Sequence, residues 1–326
     1  MLSVFCLTPV GLKRLQREAQ ASLPEDAVWL DLLEPTQNEE RLVEARLGIE
    51  IPTREEMSEI ESSSRLYEEE GGLYLTVTVV TKLDSELPEN AQVTFILKDN
   101  RLVTNRYVDP LPFRRFTLQL ERHPQYQTSA QTVFVGLLEY IVNRIADVIE
   151  RVGTDIDRVT AEVFNQRGSG NPARTLQRDY RKLLERTGQA GELIAKARES
   201  LASLSRLLAF VQQSSVVMTQ DVRTRLRTLS KDVVAMSDHA SFLNSNLNFV
   251  LDATLGMINI DQNNILKIFS VVTVFLLPPS VIAGIFGMNF AQIPASQQPW
   301  GFAGALVLMV LSALLPWAYF KHRGWL

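Results

Sequence analysis

The chain has 326 residues, enough for two domains or one large one, with 46% apolar and 21% charged side chains. Residues 1–263 hold 30 of the 33 basic residues and all 37 acids, a net of −7, and the remainder has only Lys267, Lys321 and Arg323, a net of +3. Ile268–Phe320 is 53 residues without a formal charge, which excludes a wholly water-soluble protein and leaves a C-terminally anchored membrane protein with an acidic front end.

Met1–Leu7 is too short, and lacks the charged leader, for a signal sequence, so the front end is expected to stay on the side of synthesis. Residues 2–7 and 27–33 read as short buried strands separated by a helix over Val10–Gln20. Asn38–Leu47 has helical spacing of Leu42, Val43, Ala45 and Leu47. Thr53-Arg54-Glu55-Glu56 reads as an N-cap followed by acids, which suit the positive end of a helix. Gly72–Lys82 is rich in β-branched residues and reads as a strand. Ala91–Lys98 and Arg101–Tyr107 flank Asp99-Asn100 as a hairpin. Residues 1–127 are therefore expected to form an α/β domain. It shows no glycine-rich phosphate loop and no triad spacing, so an enzyme is not indicated. Cys6, the lone cysteine, excludes an intrachain disulfide and a cysteine-rich zinc site, and His123, His239 and His322 have no metal-ligand spacing. Net acidity argues against a nucleic-acid partner. Glu68-Glu69-Glu70 and the acids from Glu55 to Glu61 read as a wet hairpin end and a wet helix face.

Residues 128–263 read as a helical stalk. Val133, Leu137, Leu138, Ile141, Ile145, Val148, Val152, Ile156, Val159 and Val163 recur at helical spacing up to a turn at Arg167–Pro172. A second helix is expected over Ala173–Val217, weakest at Gly188–Gly191, and a third starts after Met218–Asp221. In the third, Leu226, Leu229, Val233, Met236, Ala240, Leu243, Leu247, Val250, Thr254 and Met257 alternate by three and four, a coiled-coil seam. Continued to Phe286 it would be about 100 Å long at 1.5 Å per residue, and would need neighbours, most simply copies of itself.

Residues 264–286 and 300–326 hold two candidate spans, Ile268–Phe286 and Gly301–Phe320, joined by a short external loop at 287–299. Lys267, Lys321 and Arg323 flank them on one side, which places both termini in the cytoplasm of a multi-pass protein. Steps of three and four along the third helix pass Asp252, Gly256, Asn259, Asn263, Leu266, Ser270, Thr273, Leu277, Ser280, Gly284 and Gly287. Nine of these eleven are polar or small. Against lipid such a stripe gains nothing; around a wet axis shared by several copies it lines a pathway. The other reading is tight helix packing through Ser, Thr and Gly. Phe269, beside Ser270, is the alternative pathway residue at its level. Pro278-Pro279 is expected to bend the helix.

The first span ends in Ile282-Ala283-Gly284-Ile285-Phe286-Gly287-Met288-Asn289-Phe290, ahead of a second span and a basic tail ending Trp325-Leu326. This arrangement resembles the CorA family of divalent metal ion transporters along the whole chain. The resemblance implies an α+β membrane protein forming a funnel-shaped homopentamer in the inner membrane, with first spans around the pore. It implies Mg²⁺, Co²⁺ or Ni²⁺ influx as the function, metal ions as substrate and possible regulator, and no other cofactor. By position, Gly287, Met288 and Asn289 form the filter, Asn263 lies near the inner face, and Asp252 matches a stalk acid that helps bind a regulatory ion between subunits. A ring of asparagine carbonyls can accept hydrogen bonds from the hydration shell that Mg²⁺ surrenders reluctantly. A divalent ion entering gains about 4.6 kcal/mol per 100 mV, so no ATP is needed.

Two features depart from the Mg²⁺ pattern. The loop Phe290–Pro299 has no acid to gather cations, and Leu277 and Ser280 stand where Met and Thr are common. Ile293-Pro294 and Pro299-Trp300-Gly301-Phe302 are also similar to the ZntB branch, which implies Zn²⁺ and proton coupling as the second reading. A non-conducting membrane-anchored oligomer is the third.

Overall fold

The structure, a computed structural model, describes residues 1–9, 11–15, 23–59, 61–82, 88–123, 128–164, 180–288 and 298–323. The chain divides into two compact units, Met1–Gln166 with Arg181–Leu251, and Arg167–Tyr180 with Asp252–Leu326.

The first unit is built on a sheet of β1 (Leu2–Thr8), β2 (Gly11–Arg14), β3 (Ala27–Leu33), β4 (Leu66–Glu69), β5 (Gly72–Thr81), β6 (Glu89–Lys98) and β7 (Arg101–Arg106). The order is β2-β1-β3-β7-β6-β5-β4, with β3 and β7 parallel in the register Trp29 to Leu102 through Leu33 to Arg106. All ten residues of β5 are buried, because both faces of the sheet are covered. One face carries Leu30, Leu32, Tyr74, Ile96 and Val103 against Val43 and Leu47 of α1 (Gln37–Leu47). The alternate side chains face the other way. There Phe5 stacks on Trp29 at 4.3 Å, and Phe95 meets Phe113 of α4 (Leu111–Arg122) at 6.2 Å.

Local chemistry sets the boundaries. Thr36 caps α1 and Thr53 caps α2 (Arg54–Ser58), each completing a reciprocal capping box with Glu39 or Glu56. Asp99 and Asn100 have φ of 48° and 60°, the two positive values that a tight two-residue hairpin requires between Lys98 and Arg101. Glu70 and Gly71 turn the β4–β5 hairpin in the same way. A short helix, α3 (Ser62–Arg65), precedes β4.

The helix expected over Val10–Gln20 is not what forms. Gly11–Arg14 is β2, antiparallel to β1, and residue 10 and residues 16–20 lie outside the described residues. Gly11 sits at φ 125°, open to glycine, and its carbonyl accepts from the Thr8 hydroxyl at 2.5 Å. That turn folds the chain back before a helix can start.

Long helices α5 (Ala130–Phe164), α6 (Tyr180–Gln213) and the start of α7 (Gln220–Phe286) complete the first unit. The seam residues Leu226, Leu229, Val233, Ala240, Leu243, Leu247 and Val250 are buried inside this same chain. Copies of α7 are the simplest neighbours expected for this helix, but over these residues α5 and α6 of the same chain supply them. Leu243 approaches Gly153 of α5 and Leu247 approaches Gly191 of α6, where an added Cβ would lie 3.2 Å from a Leu247 methyl. Gly188 and Gly191 therefore do not break α6; Gly191 lets α7 come close. Arg225 of α7 donates two hydrogen bonds to the Glu139 carboxylate of α5, at 2.9 and 2.8 Å.

Two polar arrangements lock the sheet. Beyond the short β4, the outer edge of β5 is open, and α6 satisfies it: the Thr78 amide donates to Ser203 Oγ at 3.0 Å, and Ser200 Oγ donates to the Thr78 carbonyl at 2.6 Å. Deep in the sheet, Arg106 donates to both Asp31 oxygens, at 3.0 and 2.8 Å, and to Asp109 at 2.7 Å. Thr104 Oγ1 donates to Asp31 at 2.7 Å and accepts from the Trp29 indole at 3.0 Å. Burial opposes the Arg106 charge, but the hydrogen bonds and charge of Asp31 and then Asp109 outweigh it and raise its pKa above the ordinary value.

Candidate functional site

The second unit contains the later part of α7 and α8 (Gly301–His322), and both helices are long and apolar enough to cross a membrane. None of the most apolar stretch of α7 is buried, and Leu266, Phe269 and Leu277 are 60%, 66% and 59% exposed. Asp252, Gly256, Asn259, Asn263, Ser270, Thr273, Ser280 and Gly284 are exposed too. The helix therefore presents the whole predicted stripe, and nothing among the described residues chooses between Phe269 and Ser270. A Cβ added at Gly256 or Gly284 would meet open space, so neither glycine is required by intrachain packing.

The hydroxyls along the stripe are held at short range. Ser270 donates to the Leu266 carbonyl at 2.8 Å, Thr273 to Phe269 at 2.8 Å and Ser280 to Leu276 at 2.7 Å. Each oxygen keeps lone pairs free to accept from a water or a hydrated ion. The α-helix continues through Pro278 and Pro279. Having no amide protons, these prolines leave the Val274 and Phe275 carbonyls without their i+4 donors. In hydrocarbon such carbonyls need water or a neighbouring helix.

Helix α7 runs to Phe286. The Gly287 amide donates to the Ala283 carbonyl at 2.9 Å, and that same oxygen would lie 3.1 Å from a Cβ at 287. A side chain at 287 would therefore make a tight contact with backbone. Met288 follows, 51% exposed. Asn289, Phe290 and the loop to residue 297 lie outside the described residues, as do Trp325 and Leu326.

Asp252 is not joined by other ligands within its chain: among the described residues no three His, Cys, Asp or Glu side chains gather as a metal would need. Sequence reasoning passed over Asp261, the last acid before the span, whose carboxylate accepts from the Tyr180 hydroxyl. Its only signal was its position as the last negative charge in the chain.

Comparison with known proteins agrees with this layout. The family model described as "CorA-like Mg2+ transporter protein" matches residues 24–322. The "Magnesium transport protein CorA" of Salmonella typhimurium is 32% identical over 326 residues, covering all of both chains, and that of Escherichia coli is 31% identical over the same span. Among solved structures, the CorA magnesium transporter from Methanocaldococcus jannaschii is similar with a TM-score of 0.76 at 18% identity, over 100% of this chain and 99% of its own. The ZntB cytoplasmic domain from Vibrio parahaemolyticus has a TM-score of 0.55 at 9% identity, over 80% of this chain and 98% of its own. These last two show fold alone. The chain belongs to the CorA-like Mg²⁺ transporter family.

Proposed function

We propose that the protein carries divalent metal cations, Mg²⁺ foremost with Co²⁺ and Ni²⁺, inward across the cell membrane as a homopentamer. The observation that carries this reading is the uncovered helix α7: its polar and small stripe runs through an apolar span that its own chain leaves bare. Two spans cannot enclose a pathway, whereas five copies of α7 around an axis can. The exposed Val234, Phe242, Phe249, Leu255 and Ile260 higher on α7 give such copies apolar surface to bury. In this reading Gly287, Met288 and Asn289 form the outer filter. Asn259, Asn263, Leu266, Ser270 or Phe269, Thr273, Leu277, Ser280 and Gly284 line the way in. Both termini are cytoplasmic, the metal ion is the substrate, and no catalytic residue or other cofactor is involved.

Ion flux in proteoliposomes under a membrane potential, with and without a pH gradient, is the test. Mg²⁺ flux that follows voltage and ignores pH is the expected result. Zn²⁺ flux that requires the pH gradient favours the second reading, to which Ile293-Pro294 and Pro299-Trp300-Gly301-Phe302 point. No flux of Mg²⁺, Co²⁺, Ni²⁺ or Zn²⁺ through an intact assembly leaves a membrane-anchored scaffold.

Asp252 is assigned to regulation. Five such carboxylates near one axis repel one another, and a divalent ion between neighbouring stalks relieves that repulsion and favours the closed pore. Amide exchange over residues 245–260 should slow on titration with Mg²⁺, and Asp252→Asn should lose most of that response. Identical titration curves for the two proteins return Asp252 to an ordinary solvated charge.

A further inference from the structure

The end of α8 carries two cation–aromatic pairs. Lys321 Nζ lies 4.8 Å from the centre of the Trp317 ring, and the Arg323 guanidinium lies 5.8 Å from the Tyr319 ring. Trp317 and Tyr319 are 44% and 58% exposed. The chain has no Asp or Glu after Asp261, so no nearby acid in its sequence accounts for these cations. The two pairs sit about 200° apart around the helix and within roughly 3 Å along it, at 100° and 1.5 Å per residue. A protein partner approaching from one side would be met by charges on one face. Charges on opposite faces at one level form a collar, which fits a planar layer.

The opposite end of α8 supplies the contrast. Trp300 caps it, 62% exposed, roughly 30 Å from Tyr319 at helical rise, about the thickness of a bilayer core. No formal charge lies near that end. Both ends thus have the amphipathic aromatics of a membrane interface, but only one has cations.

We propose that this collar binds the phosphate groups of anionic phospholipids in the leaflet on the Lys321 side. The proposal rests on α8 being a span. The indole and phenol rings lie under the charged heads and keep the ammonium and guanidinium groups at phosphate depth, where guanidinium can bond two phosphate oxygens together. Each cation at an anionic surface favours binding by on the order of fivefold, so the pair should give about a 25-fold preference for anionic over zwitterionic lipid.

The test uses the full-length protein reconstituted in phosphatidylcholine vesicles. Tryptophan quenching is titrated with brominated phosphatidylglycerol and, separately, brominated phosphatidylcholine. Wild type should prefer phosphatidylglycerol by about 25-fold, and Lys321→Gln with Arg323→Gln should bring the ratio close to one. The charge-keeping double variant, Lys321→Arg with Arg323→Lys, should keep the preference and shows that the fold tolerates change here. An unchanged preference in the glutamine variant overturns the proposal. So does loss of the preference on adding inorganic phosphate but not chloride at equal ionic strength, which marks a site for free anions. Vesicle flotation separates the two levels: protein that fails to float refutes the span itself, whereas protein that floats without lipid preference refutes only the collar.

Discussion

Asn289→Ala should abolish Mg²⁺ uptake while leaving the assembly intact. In the proposed pentamer, a hydrated Mg²⁺ at a ring of five asparagines would exchange water contacts for carbonyl contacts without losing its inner shell. Each neutral hydrogen bond is worth about 0.5–1.5 kcal/mol net, so removing five raises the entry barrier enough to cut flux about 100-fold or more. The substitution leaves Gly287 and its bond to the Ala283 carbonyl in place, so the end of α7 is preserved. Flux into proteoliposomes, read beside size-exclusion light scattering of the same sample, decides the matter. Near-normal flux through a correctly assembled variant removes Asn289 from the filter.

How much of this was readable beforehand depends on how local the cause is. The hairpin at Asp99-Asn100 and the cap at Thr53 are set within four residues, and both form where the sequence places them. Helix α5 is legible because the ten apolar residues from Val133 to Val163 that recur at helical spacing are all buried, too long a pattern to mistake. Helix α4 was overlooked although Phe113, Phe116 and Leu120 share one face, because Pro110 and Pro112 look like loop until they are seen as a helix start. Strand β2 was misread since nothing in Gly-Leu-Lys-Arg outweighs a helical neighbourhood except the turn at Gly11.

The seam of α7 teaches a different lesson. Its spacing said correctly that Leu226, Leu229, Val233, Ala240, Leu243, Leu247 and Val250 would be buried, with Met236 only partly so, but periodicity does not name the covering surface. Partners on α5 and α6 lie distant in sequence and fill that face within the chain. The candidate pathway shows the opposite limit. Its stripe of Asn, Ser, Thr and Gly is obvious in sequence, yet among the described residues Phe269 and Ser270 are both left exposed, so the single chain does not choose between them.

The buried Asp31–Arg106 pair is the least legible feature of the sheet and the one whose loss should cost most stability. The two residues are 75 apart in sequence and meet because β3 and β7 run parallel in a register that sets Leu33 beside Arg106. Their side chains are 9% and 6% exposed, so water screens them little. Asp31→Ala would strand the Arg106 guanidinium with only Asp109 and the Val108 carbonyl, and leave the Thr104 hydroxyl short of its acceptor. Breaking a buried ion pair from one side typically costs about 3–5 kcal/mol, far beyond what an exposed pair is worth. Asp31→Asn keeps a hydrogen-bond acceptor for Thr104 and should cost less. Native-state hydrogen exchange on the full-length protein gives the readout, since amides of β3 and β7 open only with the sheet. In Asp31→Ala these amides should exchange about two to four orders of magnitude faster, while those of α8 stay unchanged. An acceleration below tenfold would mean that Asp109 and Val108 hold Arg106 well enough alone, and that the pair contributes register rather than stability.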